Sequence, residues 1–366
     1  MSLGSRFYRQ KGRVTMDENE LMGSMKVSKA VAKMAIPSVI SSLVTVVYNM
    51  ADTFFVGQTG DPLQVAAVSL TNPIFILFMA FANMFGMGGS AAASMALGEK
   101  KEKRVKQVSS FITYASLIVG IVFAAILLVG MQPVLQLFGA DADTYELAKG
   151  YTTYISYGAP FIIWSAAASF VVRADGASRE AMTGSMIGTV ANIILDPIFI
   201  SGFGMGAAGA AIATTIGNIM ASVYYLWYFC RKSRNMSMAF RYFKCGDRIL
   251  SQVCSAGLPT AIFSALMSIS TIILNQILVA YGNAPVAAIG IVFKANMFIT
   301  FLQMGLANGV QPLLGYNYGS GDHKRFVSVE RYTKKCCVIV GILATALFLV
   351  LREPIIRLFI SDGEVV

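Results

Sequence analysis

The sequence predicts an all-α, multi-pass membrane protein with about nine transmembrane helices. Of its 366 residues, 56% are hydrophobic and only 13% are charged, which is more apolar surface than one soluble core can bury. Runs of about 18 or more residues with almost no charge recur along the chain, and each is long enough to cross a bilayer as a helix. The predicted spans are 34–56, 65–97, 107–131, 150–172, 181–201, 207–230, 250–281, 286–318 and 332–351.

The distribution of basic residues orients these spans. When the loops are assigned to alternate sides, 25 of the 29 Lys and Arg residues fall on one side. Because cytoplasmic loops carry an excess of basic residues, we expect a cytoplasmic N-terminus and a location in the inner or plasma membrane. The net charge of +10 then follows from membrane insertion beside anionic headgroups, and it does not indicate nucleic-acid binding.

An internal repeat groups the spans into two lobes. A shift of 221 residues places Gly98 on Gly319 and the IVGI segment 118–121 on the identical segment 339–342. Because the first unit holds six spans, an even number, the second unit starts on the same side of the membrane. This is the plan of a two-lobed transporter with parallel six-helix repeats.

The repeat also predicts the domain boundaries. We expect a cytoplasmic N-terminal segment at 1–33, a six-helix lobe at 34–231, a cytoplasmic basic linker at 232–249 and a partial lobe of three helices at 250–366. On this interpretation the second lobe is incomplete. A truncated, non-functional transporter is therefore one alternative.

Two carboxylates lie within the predicted spans, Asp52 in YNMADTFFVG and Asp196 in NIILDPIFI. A charge near the bilayer centre costs about 2.5–3.5 kcal/mol, so each needs a water-filled cavity, a partner or a proton. Asn192 precedes Asp196 by four residues, so both side chains share a helix face and could bind a proton or a sodium ion together. Pro197 bends the helix and frees carbonyl oxygens for the same site. The alternatives are a helix-packing role for Asp196 and an interfacial position for Asp52.

Three weaker signals complete the set of candidates. Lys294, the only basic residue clearly inside a predicted span, either lines a cavity or extends to the interface. Thr214 offers a hydroxyl in the sixth span, although intramembrane threonines often bond their own helix. The 20 Met and 24 Phe residues suit an adaptable apolar pocket, or they simply pack and face lipid.

The sequence lacks the common signatures of cofactor chemistry. Gly204, Gly206 and Gly209 match G-x-G-x-x-G, but a dinucleotide site needs a preceding strand, whereas these glycines join two predicted spans. No G-x-x-x-x-G-K-[ST] or H-E-x-x-H motif occurs, and the five Cys residues form no C-x-x-C. We therefore expect free thiols and no metal, nucleotide or cofactor. We also expect no enzymatic activity, since an intramembrane aspartyl enzyme would have to use Asp52 and Asp196 alone.

The sequence resembles the multidrug and toxic compound extrusion (MATE) family over residues 28–366. The resemblance rests on AIPSVI and YNMADTFFVGQTG in the first span, NIILDPIFI in the fifth, FGMGAAGAAIATTIG entering the sixth and GLPTAIF opening the repeat. The family consists of secondary exporters with two six-helix lobes. The resemblance therefore implies an antiporter, expected as a monomer, that moves amphipathic, often cationic organic compounds against H+ or Na+.

The resemblance also implies roles for particular residues. The cation-coupling motifs of the family fall on Asp52, Asn192, Asp196 and Thr214. The candidates for the substrate cavity are Tyr151, Lys294 and Met267, the last standing where one branch of the family has an acidic residue. The nearest alternative with the same fold is a lipid-linked saccharide flippase, which needs a strongly basic central cavity. Only Lys294 offers such a charge.

Overall fold

The computed structural model describes residues 20–57, 61–246, 248–279 and 283–350, except for the side chain of Thr53 and several side chains between 264 and 295. These residues form nine long helices. They are α1 (Val27–Gly57), α2 (Pro62–Gly98), α3 (Glu102–Val129), α4 (Tyr145–Ala174), α5 (Ser178–Pro197), α6 (Gly206–Trp227), α7 (Ile249–Val279), α8 (Asn283–Gly319) and α9 (His323–Val350).

Short helical turns lie between or before several of the long helices. A seven-residue helix, Met131–Leu137, precedes α4, and single π-helical turns occupy Glu20–Ser24, Ile198–Gly202 and Tyr228–Lys232. Phe240–Tyr242 forms a 3₁₀ turn. The long helices thus join through short connections, as antiparallel neighbours in a bundle do.

The predicted all-α membrane fold is confirmed. Within the described ranges, seven helices are long and apolar enough to cross a membrane, namely α1 to α6 and α9. The polar boundaries follow local sequence signals. At the start of α2, for example, Pro62 occupies the first helical turn and the Asp61 side chain accepts a hydrogen bond from the Leu63 backbone N–H at 3.0 Å, which is a typical helix N-cap.

The internal repeat is present in the helix bounds. Helices α2 and α8 are both 37 residues long, and α8 starts and ends 221 residues after α2. Helices α3 and α9 are both 28 residues long with the same offset. Helices α1 and α7, each of 31 residues, differ by 222. The first three helices of the chain therefore reappear as the last three described helices.

Glycines bring the two lobes into backbone contact. A Cβ atom on Gly98 would lie 2.1 Å from the carbonyl oxygen of Tyr316, and one on Gly319 would lie 2.1 Å from that of Met95. Tyr316 is the residue 221 positions after Met95, so the two contacts are equivalent in the repeat. Similar close contacts join α2 to α7 and α1 to α8. Only glycine permits helices to approach this closely.

The linker between the lobes is held against the first lobe. Three side chains of α3, those of Ser109, Ser110 and Tyr114, donate hydrogen bonds to the carbonyl oxygens of residues 237–239 at 2.9–3.1 Å. The Phe243 ring stacks near Phe111 with a centroid distance of 6.3 Å. Residues 237–243 therefore form part of the first lobe surface.

Asp175, in the turn between α4 and α5, anchors the start of the same linker. Its carboxylate accepts hydrogen bonds from Tyr228 at 2.8 Å, Ser233 at 2.6 Å and Asn235 at 3.0 Å. Burial raises the pKa of this carboxyl group, although the three donors act in the opposite direction. A buried acceptor with three donors fixes the linker to one place on the lobe.

The backbone conformation and the packing of the α5–α6 connection explain the glycines of the G-x-G-x-x-G match. Gly204 and Gly206 adopt φ values of +64° and +53°, which glycine reaches without strain. A side chain on Gly206 would collide with Gln64, whose Oε1 accepts a hydrogen bond from the Ala207 backbone N–H at 2.8 Å. The glycines shape the α5–α6 connection and do not follow a strand.

Candidate functional site

Asp196 lies at the end of α5 and is fully buried. Pro197 ends the α-helix, and the chain continues as the π turn Ile198–Gly202. The Asn192 amide satisfies both of its neighbours in one orientation only. In that orientation Nδ2 donates to Asp196 Oδ2 at 2.9 Å and Oδ1 accepts from Thr214 Oγ1 at 3.2 Å. The predicted one-turn spacing therefore joins Asn192 to Asp196 directly.

The second carboxylate oxygen of Asp196 can accept a further partner. Asp196 Oδ1 has no hydrogen-bond partner within the described residues. A buried acceptor of this kind is costly unless a proton, a cation or a donor joins it. The cluster of Asp196, Asn192 and Thr214 can therefore bind a proton or a small cation.

Asp52 lines a separate cavity of about 290 Å³, here called the Asp52 chamber. The side chain is half-buried near the end of α1. The chamber is lined by α1, α2, α4 and α6, and its polar members besides Asp52 are Tyr48, Asn49, Ser69, Asn72, Tyr151 and Thr214. The predicted Asp52, Tyr151 and Thr214 thus come together.

A second cavity, of about 260 Å³, lies between α1, α2, α4, α5, α6 and α8. It is here called the Arg173 chamber, after the only charged residue among its described lining residues. Its polar lining residues are Ser41, Ser42, Thr45, Tyr48, Ser165, Ser169, Arg173, Ser185, Thr189, Asn192, Thr214, Asn218, Tyr225 and Asn308. The second lobe contributes the apolar side chains of Phe301 and Met304.

The two chambers share a wall. Tyr48, Phe75 and Thr214 line both cavities, and the hydroxyl groups of Tyr48 and Thr214 lie 3.5 Å apart. Asn192 lines the Arg173 chamber and holds Asp196 behind this wall. The cluster of Asp196, Asn192 and Thr214 therefore borders both cavities through Thr214.

The remaining predicted residues lie apart from this wall. Met267 on α7 is 54% exposed and does not line either chamber. The backbone of Lys294 belongs to α8, but its side chain lies outside the described part of the structure. The carboxylates, Asn192, Thr214 and Tyr151 therefore form the described site without Met267.

Sequence reasoning missed Arg173 and Tyr48. The predicted fourth span ends at residue 172, so Arg173, two positions before the Asp-Gly pair at 175–176, falls among the loop residues of that prediction. The structure places it in the last turn of α4, where it is only 7% exposed. A count of basic residues by side cannot separate a buried arginine at a helix end from a solvated one. Tyr48 had no signal beyond its position one turn before Asp52.

Within the described residues, no three His, Cys, Asp or Glu side chains are grouped as a metal site would require. The five cysteines are free in the structure. The chemistry available at the site is therefore that of carboxylates, amides, hydroxyls and one guanidinium.

The fold and the chambers define a membrane transporter of the two-lobed, helical-repeat class. Comparison with known proteins identifies the family: the MatE family model matches residues 37–198 and 259–366. The chain belongs to the MATE family of transporters. It is therefore related to transport proteins and not to enzymes.

Individual relatives agree with this assignment. The chain is 33% identical to the multidrug export protein MepA of Staphylococcus saprophyticus subsp. saprophyticus over 340 residues, covering 93% of this chain and 75% of the relative. It is 31% identical to MepA of Staphylococcus aureus with the same coverage.

Solved structures show the same architecture. A crystal structure of MATE in complex with MaD3S matches with a TM-score of 0.90 and 26% identity, covering 95% of this chain and 78% of that one. An outward-facing multidrug resistance MATE transporter of the MOP superfamily matches with a TM-score of 0.84 and 26% identity, covering 93% and 75%. The expected MATE architecture is confirmed.

Proposed function

We propose that this protein exports amphipathic, often cationic organic compounds in exchange for H+ or Na+. The relatives named as multidrug export proteins support export of small organic compounds. The observation that carries the coupling is the buried Asp196 with one unpartnered oxygen, held by Asn192 beside the wall between two chambers. The N-terminus and the basic loops face the cytoplasm in this proposal.

The cation acts at Asp196 and Asp52. A proton or a sodium ion at Asp196 Oδ1 completes the hydrogen bonding of that carboxylate, while Asn192 steadies Oδ2. Asp52 attracts the cation into its chamber, and Tyr151 and Thr214 supply further oxygens there. Organic cations compete for the same negative charge, so neutralising it favours their release.

Alternating access follows if cation binding stabilises one arrangement of the lobes more than the other. At Gly98 and Gly319 the two helices meet through backbone atoms, so interlocked side chains do not oppose a change in the angle between the lobes at these two points. Any coupling energy must come from the difference in cation affinity between the two arrangements.

The lipid-linked saccharide flippase remains a weaker candidate. Arg173 adds a positive charge that the sequence did not predict for a cavity. A pyrophosphate group carries more negative charge than one guanidinium neutralises, and the other described lining residues of the Arg173 chamber are uncharged. The chamber therefore suits a singly charged anion better.

Accumulation of a fluorescent organic cation in cells tests the proposal. Cells expressing the wild type should accumulate less dye than cells without the protein, and cells expressing Asp196→Asn should lose this difference. Varying external pH at constant sodium, and sodium at constant pH, identifies the coupling ion. Asp143→Asn, which alters an exposed loop carboxylate, serves as the matched control. Equal export by wild type and Asp196→Asn contradicts the proposed coupling.

A further inference from the structure

Arg173 is a buried positive charge that the proposed function does not use. It is 7% exposed, lies in the last turn of α4 and lines the Arg173 chamber. An arginine side chain keeps its charge under all ordinary conditions. The chamber therefore contains a permanent cation close to neutral hydroxyl and amide groups.

The described surroundings of Arg173 leave its charge uncompensated. Nη1 donates a hydrogen bond to Ser169 Oγ at 3.3 Å, and the guanidinium lies 5.2 Å from the centroid of the Phe170 ring. Nε has no hydrogen-bond partner, and the described residues offer Arg173 no ion pair. Burying a charge without a counter-ion is unfavourable, so an anion entering the chamber would be bound favourably.

The position of Arg173 separates it from the acidic chamber. It follows Tyr151 by 22 residues on α4, which corresponds to about 33 Å along a helix at 1.5 Å per residue. An anion at Arg173 therefore does not occupy the place of a cation at Asp52. Thr189 and Asn192 of α5 also line the Arg173 chamber.

We propose that Arg173 is a specificity-determining residue, which binds the carboxylate group of those organic substrates that carry one and so fixes where this group lies in the Arg173 chamber. The planar guanidinium matches a carboxylate through two parallel hydrogen bonds. Phe301 and Met304 of the second lobe supply an apolar wall for the body of such a molecule. This inference rests on the proposed export function, because it names the residue that recognises one chemical group of the exported compound.

Binding to the purified full-length chain tests the inference without requiring transport. Two fluorescent probes are used, a rhodamine dye with a free carboxylate and its methyl ester, and fluorescence polarisation reports their affinities. For Arg173→Gln, we expect the affinity for the carboxylate dye to fall at least tenfold and that for the ester to change less than twofold. Arg173→Lys keeps the charge but loses the planar donor pair. Its affinity for the carboxylate dye should therefore lie between those of the wild type and Arg173→Gln.

Arg179→Gln is the matched control, since Arg179 lies six residues further along the chain on the exposed surface of α5. It should leave both affinities within twofold of the wild type. A parallel loss for both dyes in Arg173→Gln indicates a structural role and overturns the inference. Unchanged binding of the carboxylate dye also overturns it.

A measurement on the wild type alone covers the case in which Arg173→Gln does not fold. Benzoate should displace the carboxylate dye, whereas the uncharged benzamide should not. Equal displacement by both compounds, or by neither, overturns the inference. Selective carboxylate binding without export of either dye in cells would instead contradict the proposed export function, so the two failures are distinguishable.

Discussion

The Asp52 chamber and the Arg173 chamber are lined by side chains of the same helices α1, α2, α4 and α6, yet they differ in charge. One contains a carboxylate near the end of α1, and the other contains a guanidinium in the last turn of α4. Only the Arg173 chamber has described lining residues from the second lobe. One lobe thus supplies two chemically different sites, and only one of them depends on the position of the other lobe.

The shared wall determines how these sites influence each other. Thr214 and Tyr48 touch both cavities, and Asn192 connects the wall to the buried Asp196. A change in protonation or ion occupancy at Asp196, if it occurs as proposed, would act on Asn192 and Thr214, which line the Arg173 chamber. This linkage requires only one hydrogen-bonded cluster and no long-range pathway.

The largest effect on the two chambers is expected when a substitution forces the lobes apart. Gly98→Leu forces a side chain into the backbone of Tyr316, where even a Cβ atom would lie at 2.1 Å. We expect a destabilisation of about 3 kcal/mol and a larger loss of carboxylate-dye binding than of cation binding. Thermal unfolding and calorimetry measure the two effects. Gly246→Leu, at a position with no atoms within 4 Å, is the control and should behave like the wild type.

The next largest effect is expected at the cluster of Asp196, Asn192 and Thr214. Asn192→Leu removes the donor to Asp196 and the acceptor for Thr214. Leaving buried polar groups unpaired costs about 1–3 kcal/mol, so cation affinity measured by calorimetry should fall about tenfold or more. Asn296→Leu, at an exposed position of α8, provides a control. Unaltered cation affinity in Asn192→Leu would show that this cluster does not bind the ion.

A smaller and more selective effect is expected at the shared wall. Thr214→Val removes a hydroxyl that lines both chambers and should weaken both cation and carboxylate-dye binding, by about 1 kcal/mol each. The neighbouring Thr215 instead donates to the Tyr154 carbonyl oxygen at 3.0 Å. Thr215→Val should therefore change neither affinity by more than twofold. A loss in one chamber alone for Thr214→Val would show that the wall is not shared in function.

The smallest effect on the chambers is expected at Asp175. Asp175→Asn weakens the linker contacts and should lower stability by about 1–2 kcal/mol while leaving both affinities within twofold. Because burial raises the pKa of Asp175, the folded protein holds this proton more tightly than the unfolded chain. The wild type should therefore lose stability relative to Asp175→Asn as the pH rises above about 4, the pKa of an aspartate in the unfolded chain, and through the raised pKa of the folded state. Thermal unfolding across this range measures the difference, and a widening advantage of the wild type would contradict the assignment.

Much of the fold could be predicted because its signals are local. Uninterrupted apolar runs locate the helices, and glycine and proline in loops keep the repeat in register, so the offset of 221 reappears in the bounds of α2 and α8. The pairing of Asn192 with Asp196 follows from helical spacing. The contact of Asn192 with Thr214 crosses from α5 to α6 and needed the family resemblance to suggest it.

The division into two chambers was not predictable from the sequence. It depends on contacts between Tyr48, Phe75 and Thr214, which lie on three different helices. The periodicity of a sequence indicates which residues share a face of one helix, but not which residues of different helices come into contact. The burial of Arg173 was missed for a related reason, since its depth is set by the packing around the end of α4. Both features depend on side-chain placement across helices.

The glycine contacts between the lobes also have a mechanical consequence. At most helix interfaces the side-chain ridges of one helix fit into the grooves of the other, so relative motion requires rotamer changes and loses packing. At Gly98 and Gly319 the partner surface is bare main chain on both sides. At these two points a small shift of one helix against the other requires no rotamer change, so resistance to such a shift must come from side-chain contacts elsewhere in the interface, such as the hydrogen bond from Gln311 to the Met87 carbonyl oxygen.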